Sequence, residues 1–272
     1  NTHLISTTGY TSRELHQIRK DLNLKKGKVC LGSWQTLSDP SISELYAMSG
    51  VDWVLADMEH TVNNFETIAN IIRVVDLMSC AVFVRPPSLD SAIIKRLLDF
   101  GAHGIMVPNI KTEKEANEAI NSTRYKPYGN RGVGLGRAQD YGENFQDYFN
   151  WSKNGPVVLI QIEDIEGIEN IENILSVDGI DAIFIGPYDL SCSLGDPGNF
   201  SSKRFKSSIF KVEENCKKFN IPFGFHIVEP NLDDLTQKIE DNYQLIAYGV
   251  DFKFLINQTK KAVNHIKNIS KI

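Results

Sequence analysis

The chain has 272 residues, 42% of them hydrophobic, and a formal net charge of −5 at neutral pH. That length suits one large α/β domain with a sizeable core, and the acidic balance argues against a nucleic-acid partner, which wants a basic face. No apolar run is long enough to span a bilayer, residues 1–24 lack the apolar core of a leader peptide, and the scattered Cys30, Cys80, Cys192 and Cys216 suit reduced cysteines of a cytoplasmic protein.

Residues 1–11 show no periodicity and read as an arm. Ser12 then caps an expected helix with Leu15, Ile18 and Leu22 on one face. Val29 to Trp34 reads as the first strand. Ser38 or Asp39 caps a helix with Pro40 in its first turn and Gly50 at its end. Trp53 to Asp57 is a second strand, and Phe65 to Met78 a helix. Ala81 to Arg85 is a third strand, stopped by Pro86-Pro87. Ile93 to Phe100 reads as a helix, Gly104 to Val107 as a strand, and Thr112 to Ser122 as a charged amphipathic helix. Arg124 to Pro156 reads as one long irregular connection, of the kind that is usually functional.

Val157 to Glu163 and Ala182 to Asp189 are the most informative stretches. Both are too apolar for half-exposed strands and read as strands buried on both faces of a parallel sheet. Between them Ile168, Ile171, Ile174 and Leu175 keep helical spacing. A right-handed strand-helix-strand crossover places Glu163 and Asp189 at the same end of neighbouring strands. Phe205 to Phe219 (helix), Pro222 to Ile227 (strand), Leu232 to Ile239 (helix), Leu245 to Tyr248 (strand) and Phe252 to Ile269 (helix) complete the chain. Eight strand-helix units at this spacing predict a (β/α)8 TIM barrel, α/β in class, as a single domain over 1–272 with 1–27 as an N-terminal arm and helix. A doubly wound sheet is the runner-up, but Gly-Ser-Trp after the first strand is no dinucleotide fingerprint.

In such a barrel the side chains just past the strand ends meet at one mouth. Here they are Trp34, Asp57, Glu59, His60, Arg85, Asn109, Gln161, Glu163, Asp189, His226 and Glu229. Glu163 reads either as a surface carboxylate or as a ligand to a hard cation, with Gln161 on the same side of the strand. Asp189 reads equally as a helix cap or a ligand, and Gly186-Pro187 beside it lets the backbone approach a bound molecule. His60 reads as a loop histidine or a general base. Arg85, at the end of an apolar strand, needs an anionic partner, whether a rim carboxylate or a substrate oxygen. Arg131-Gly-Val-Gly-Leu-Gly-Arg137 lacks the strand before it and the Gly-Lys-Ser/Thr ending of a phosphate loop, and reads instead as a lid or interface loop.

Several blocks, in order, resemble the HpcH/HpaI family of class II pyruvate aldolases. They are Leu31-Gly-Ser-Trp34, Asp57-Met-Glu-His60, Val84-Arg-Pro86, Lys95 to Gly101, Val107-Pro108, Tyr125 to Gly134, Gln161-Ile-Glu163 and Phe184 to Ser191. The resemblance implies reversible cleavage of a 4-hydroxy-2-oxo acid to pyruvate and an aldehyde. It implies a divalent cofactor, Mg2+ or Mn2+ with Co2+ a third candidate, on Glu163 and Asp189 with Gln161 in support. It also implies Arg85 at the 2-oxo oxygen, His60 as base acting with Asp99, and Trp34 and Asp57 around the substrate. Gly186, Pro187 and Tyr188 would hold the carboxylate, and Tyr188 stands where the family often has a small residue. Family members form hexamers as trimers of dimers with an exchanged C-terminal helix, so Val133, in the Arg131 loop, would border a neighbour's site. Two alternatives stand beside this: a citrate-lyase-like enzyme acting on an acyl-CoA, and a catalytically silent barrel.

Overall fold

The computed structural model describes residues 28–153 and 155–270; the helix expected after Ser12 lies outside them. Eight parallel strands close into a barrel in sequence order. They are β1 (Cys30–Gln35), β2 (Trp53–Asp57), β3 (Ala81–Arg85), β4 (Gly104–Val107), β5 (Val157–Ile162), β6 (Ala182–Ile185), β7 (Phe223–Ile227) and β8 (Leu245–Val250). This is the TIM barrel that the spacing predicts. Every residue of β2 to β6 is buried, which is why their sequences show no polar alternation.

Between the strands lie α1 (Pro40–Met48), α2 (Phe65–Leu77), α3 (Ser91–Asp99), α4 (Glu113–Thr123), α5 (Phe145–Ser152), α6 (Ile165–Glu169), α7 (Ile171–Leu175), α8 (Pro187–Ser193), α9 (Lys203–Phe219) and α10 (Leu232–Glu240), with α11 (Asp251–Ser270) at the end. Their starts follow local chemistry. Asp39 accepts from Ser41 N at 2.8 Å with Pro40 opening α1, and Thr112 and Glu115 form a reciprocal capping box on α4.

Two segments differ from the sequence reading. The helix expected before Leu175 is two short ones, broken at Asn170, whose side chain turns to donate to the Lys111 carbonyl at 2.9 Å. The connection 124–156 is not wholly irregular: it holds a 3-10 turn, Arg137–Gly142, and α5. Tyr125, Tyr148 and Trp151 form a small core of their own there. Since α4 has already returned to the start of the strands, this whole excursion sits at the barrel's N-terminal end. The 131–137 loop is therefore no lid over the mouth of its own chain.

The barrel interior is filled by large rings set against bare backbone. Trp53 and Phe184 occupy space that a Cβ on Gly32 or Gly224 would take. Gly32→Ala would push into the Trp53 indole from a strand whose backbone is fixed on both sides. We expect a cost of about 1–3 kcal/mol, seen as a fall in Tm of roughly 2–12 °C in thermal unfolding; an unchanged Tm would show that the interior has slack.

Candidate active site at the barrel mouth

The β2–β3 pairing sets Asp57 and Arg85 in direct register at the C-terminal end of their strands. Their side chains close the pair as a fork: Arg85 Nε donates to Asp57 Oδ1 at 2.8 Å and Nη2 to Oδ2 at 2.7 Å. Nη1 lies 2.9 Å from Glu59 Oε2, and the guanidinium carbon sits 4.6 Å from the centre of the Trp34 ring. Arg85 thus finds its anionic partners within the rim. Burial pushes the Asp57 carboxyl up, but Arg85, through its hydrogen bonds and its charge, holds it below the usual carboxylate range. Burial wins at Glu59, whose carboxyl is raised despite Arg85 and His60. His60 itself is exposed, its Nε2 3.5 Å from Glu59 Oε2.

Across the mouth Glu163 leaves β5 buried, with 5% of its surface exposed. Gln161 Nε2 donates to Oε2 at 2.5 Å, and the backbone N–H of Asn109 donates to Oε1 at 2.8 Å. Asn109 reaches that position in the left-handed region, φ 53°, which asparagine tolerates. The sequence makes Asn109 a mouth candidate, but the contact is made by its backbone amide, which has no sequence signature. Burial, and then the charges of Asp189 and Glu59, push the Glu163 carboxyl up to about 8. Asp189 is no helix cap: Gly186 holds that position, and Asp189 lies exposed in the first turn of α8.

A divalent cation fits these residues. The charge of exposed Asp189 acts unfavourably on buried Glu163, and buried Gln161 Oε1 has no partner. A Cβ on Gly186 would collide with Glu163 Oε2 and stand 2.7 Å from Gln161 Nε2, so only glycine leaves the space open. The donors are all oxygen, as a hard cation prefers. Among the described residues no three or more His, Cys, Asp or Glu gather into a group that could hold a metal ion.

The mouth is a pocket of about 310 Å³ lined by Trp34, Asp57, His60, Arg85, Gln161, Gly186, Pro187, Tyr188, Asp189 and His226 among others. Asp99 and Val133 are not among its lining residues. Asp99 ends α3, at the opposite end of the barrel, where Arg131 Nη2 donates to its Oδ1 at 2.6 Å; exposed Val133 lies in the same region. Glu229, a rim candidate, is exposed and paired with Lys253, and Lys111 lies 3.3 Å from Asp164. Neither lysine is placed to serve as a Schiff-base nucleophile in the pocket.

A TIM barrel with acids, an arginine fork and a histidine gathered at its C-terminal mouth has the layout of an enzyme, since that face carries the active site in this fold. Comparison with known proteins narrows the class. The chain belongs to the HpcH/HpaI aldolase/citrate lyase family, whose family model matches residues 31–258. It is 32% identical over 240 residues to 5-keto-4-deoxy-D-glucarate aldolase of Citrobacter koseri, covering 88% of this chain and 93% of that one. The solved HpcH/HpaI aldolase of Desulfitobacterium hafniense is 30% identical with a TM-score of 0.84, covering 91% of this chain and 96% of that one. A family protein from Burkholderia cenocepacia is 28% identical with a TM-score of 0.85, covering 94% and 100%. The protein is accordingly a carbon–carbon lyase of the aldolase type. No helix among the described residues is long and apolar enough to cross a membrane.

Glu163 makes a signed prediction for the metal-free protein. Its carboxyl ionises near the ordinary 4.5 when unfolded and near 8 when folded. Between those values the folded state holds more protons, so stability falls as pH rises, by at most about 1.4 kcal/mol per pH unit from this group. Thermal melts in chelator from pH 5 to 8 should show the decline, and Glu163→Gln should flatten it. A Glu163→Gln protein declining as steeply as the unmodified one would mean the carboxylate is not strained.

Proposed function

We propose that this enzyme is a divalent-metal-dependent aldolase that cleaves a 4-hydroxy-2-oxo acid to pyruvate and an aldehyde, with Glu163 and Asp189 holding Mg2+, Mn2+ or Co2+. The observation that supports the reading is the buried Glu163 carboxyl, packed against Gly186 where no Cβ would fit, and raised by burial and by the charges of Asp189 and Glu59 more than Arg85 lowers it. When bound, the divalent ion supplies Lewis-acid stabilisation for the charge that develops on the 2-oxo oxygen.

The chain's own residues do the rest. Gln161 and the Asn109 amide fix both oxygens of Glu163. The substrate carboxylate meets the first turn of α8 through the N–H groups of Tyr188 and Asp189, since Pro187 has none and that of Gly186 is spent on the Ile162 carbonyl. Arg85 is held by Asp57 so that Nη1 presents an N–H to the 2-oxo oxygen and stabilises the enolate left by C3–C4 cleavage. His60 takes the proton of the 4-hydroxyl, with Glu59 beside it, a contribution of about 10²–10⁴ in rate. Trp34 and Asp57 wall the substrate side. After chelation and dialysis, pyruvate release from a panel of 4-hydroxy-2-oxo acids should vanish and return with one divalent ion. Borohydride with substrate should trap nothing, and Glu163→Gln should lose at least about 100-fold in rate. Full turnover without metal, or a trapped adduct, would overturn the reading.

Asp99 and Val133 belong to the site only through a second copy of the chain. Both lie at the barrel's far end, with Val133, Leu135 and Tyr141 exposing apolar surface beside them. Along α11, Leu255, Ile256, Val263, Ile266 and Ile269 are also exposed, as a helix exchanged between copies would be. A hexamer built as a trimer of dimers would set Asp99 of one copy against His60 of another. His60→Ala and Asp99→Ala proteins, each inactive, should then regain activity when refolded together, and sedimentation should give the hexamer. Failure of the mixture to recover would remove Asp99 from the reaction, since the two residues lie at opposite ends of one barrel.

A further inference from the structure

His226 lies in the mouth but has no part in the chemistry above. It belongs to β7, whose Phe223, Phe225 and Ile227 face the outer core; alternation turns His226 and Gly224 inward. Its ring stacks flat on Trp34, with centroids 4.4 Å apart and planes within 7°. Its Nε2 lies 3.1 Å from the Gly249 carbonyl. A carbonyl only accepts, so Nε2 must carry the proton and donate. Although the ring touches the mouth, burial, joined by the charge of Arg85, holds its pKa down at about 4. The imidazole is therefore neutral in a single tautomer, and Nδ1 is a bare acceptor. No described residue donates to Nδ1. His226 is among the residues that line the pocket holding Asp57, Arg85 and Gly186, and it also lines a second pocket with Phe205, Phe225 and Lys238.

Of the charged groups that act on His226, Asp57 is held below the usual carboxylate range and offers no proton, and Arg85 directs its fork to Asp57 and Glu59. What Nδ1 lacks is a neutral donor carried by the ligand. We propose that His226 is a specificity-determining residue whose Nδ1 accepts a hydrogen bond from a hydroxyl on the substrate's carbon chain, so that the enzyme favours hydroxylated over deoxy aldehydes. The proposal rests on the aldolase reading and names the substrate class within it. A site built to bind a hydroxyl rejects the analogue that lacks one, because its own acceptor is then left dry. The ring also braces the face of Trp34, over which Arg85 lies, so a replacement must separate stacking from acceptance.

The test uses the metal-loaded enzyme in the synthetic direction, adding pyruvate to glycolaldehyde or acetaldehyde, which differ by one hydroxyl. The readout is the ratio of the two kcat/KM values. The unmodified enzyme should favour glycolaldehyde, chiefly through KM. His226→Phe, which keeps a flat ring on Trp34, should lower the ratio at least about tenfold, and His226→Gln, which restores an acceptor, should recover part of it. No preference in the unmodified enzyme, or an equal preference in His226→Phe, overturns the proposal. A two-bond 1H–15N spectrum of His226 reports independently of turnover: it should show the Nε2–H tautomer, with the Nδ1 signal moved by glycolaldehyde and not by acetaldehyde. A Nδ1–H tautomer, or no movement, also overturns it. If no aldehyde reacts with pyruvate at all, the aldolase reading fails, and the spectrum still decides the role of His226.

Discussion

The Asp57–Arg85 fork is the constraint on which the mouth depends. It joins two adjacent strands at a register position, so the barrel's own hydrogen bonding sets the fork. Burying a guanidinium costs several kcal/mol unless it is paired and fully bonded. Asp57 meets that cost on one edge, Glu59 on another and the Trp34 face covers the plane. The result is a cation whose direction is fixed before any substrate arrives. Electrostatic stabilisation of a developing oxyanion works best with charge already in place.

The opposite wall is built the other way. Glu163 is oriented as firmly as Arg85, yet its surroundings penalise its charge. Gly186 has no room for a side chain, because Glu163 and Gln161 already occupy the place a Cβ would take. One wall is rigid with its charges paired, the other rigid with a hydrogen-bonded carboxyl whose charge burial disfavours. Functional groups work best when supporting contacts hold them in place before a ligand arrives. The fold can carry this local cost because two large apolar layers, inside and outside the strands, anchor the elements that present it.

Much of this was legible in the sequence, for physical reasons that can be named. Strands buried on both faces leave uninterrupted apolar runs, so β2 to β6 stood out by composition and the barrel followed from their spacing. The carboxylates and the arginine were visible because they end such runs abruptly. The interactions hidden from sequence were those made by backbone or set by long-range geometry. The Asn109 amide that orients Glu163 carries no side-chain signal, and the partner of Arg85 depended on the β2–β3 register. The broken helix at Asn170 looked continuous because its apolar spacing continues across the break. α5 was obscured by flanking Gly, Asn and aromatic residues, whose packing against Tyr125 is tertiary.

The far end of the barrel raises a further argument about cost. Arg131 has no exposed side-chain surface, yet it donates to an acid at the end of α3, lies 4.6 Å over the Tyr125 ring and bonds the Tyr148 hydroxyl at 3.0 Å. Its Nε is buried without a partner. Replacing such an arrangement with packed apolar residues usually costs little or improves stability, so folding alone gives weak reason to keep it. What the arrangement does achieve is to hold one carboxylate, Asp99, in a single orientation at a surface with exposed apolar neighbours. A fixed acid beside an apolar patch suits contact with another folded surface better than contact with water, since water would satisfy a carboxylate in any rotamer. The two ends of the barrel thus share one design. In each, a buried arginine and a carboxylate fix one another: Arg85 with Asp57 at the mouth, Arg131 with Asp99 at the far end.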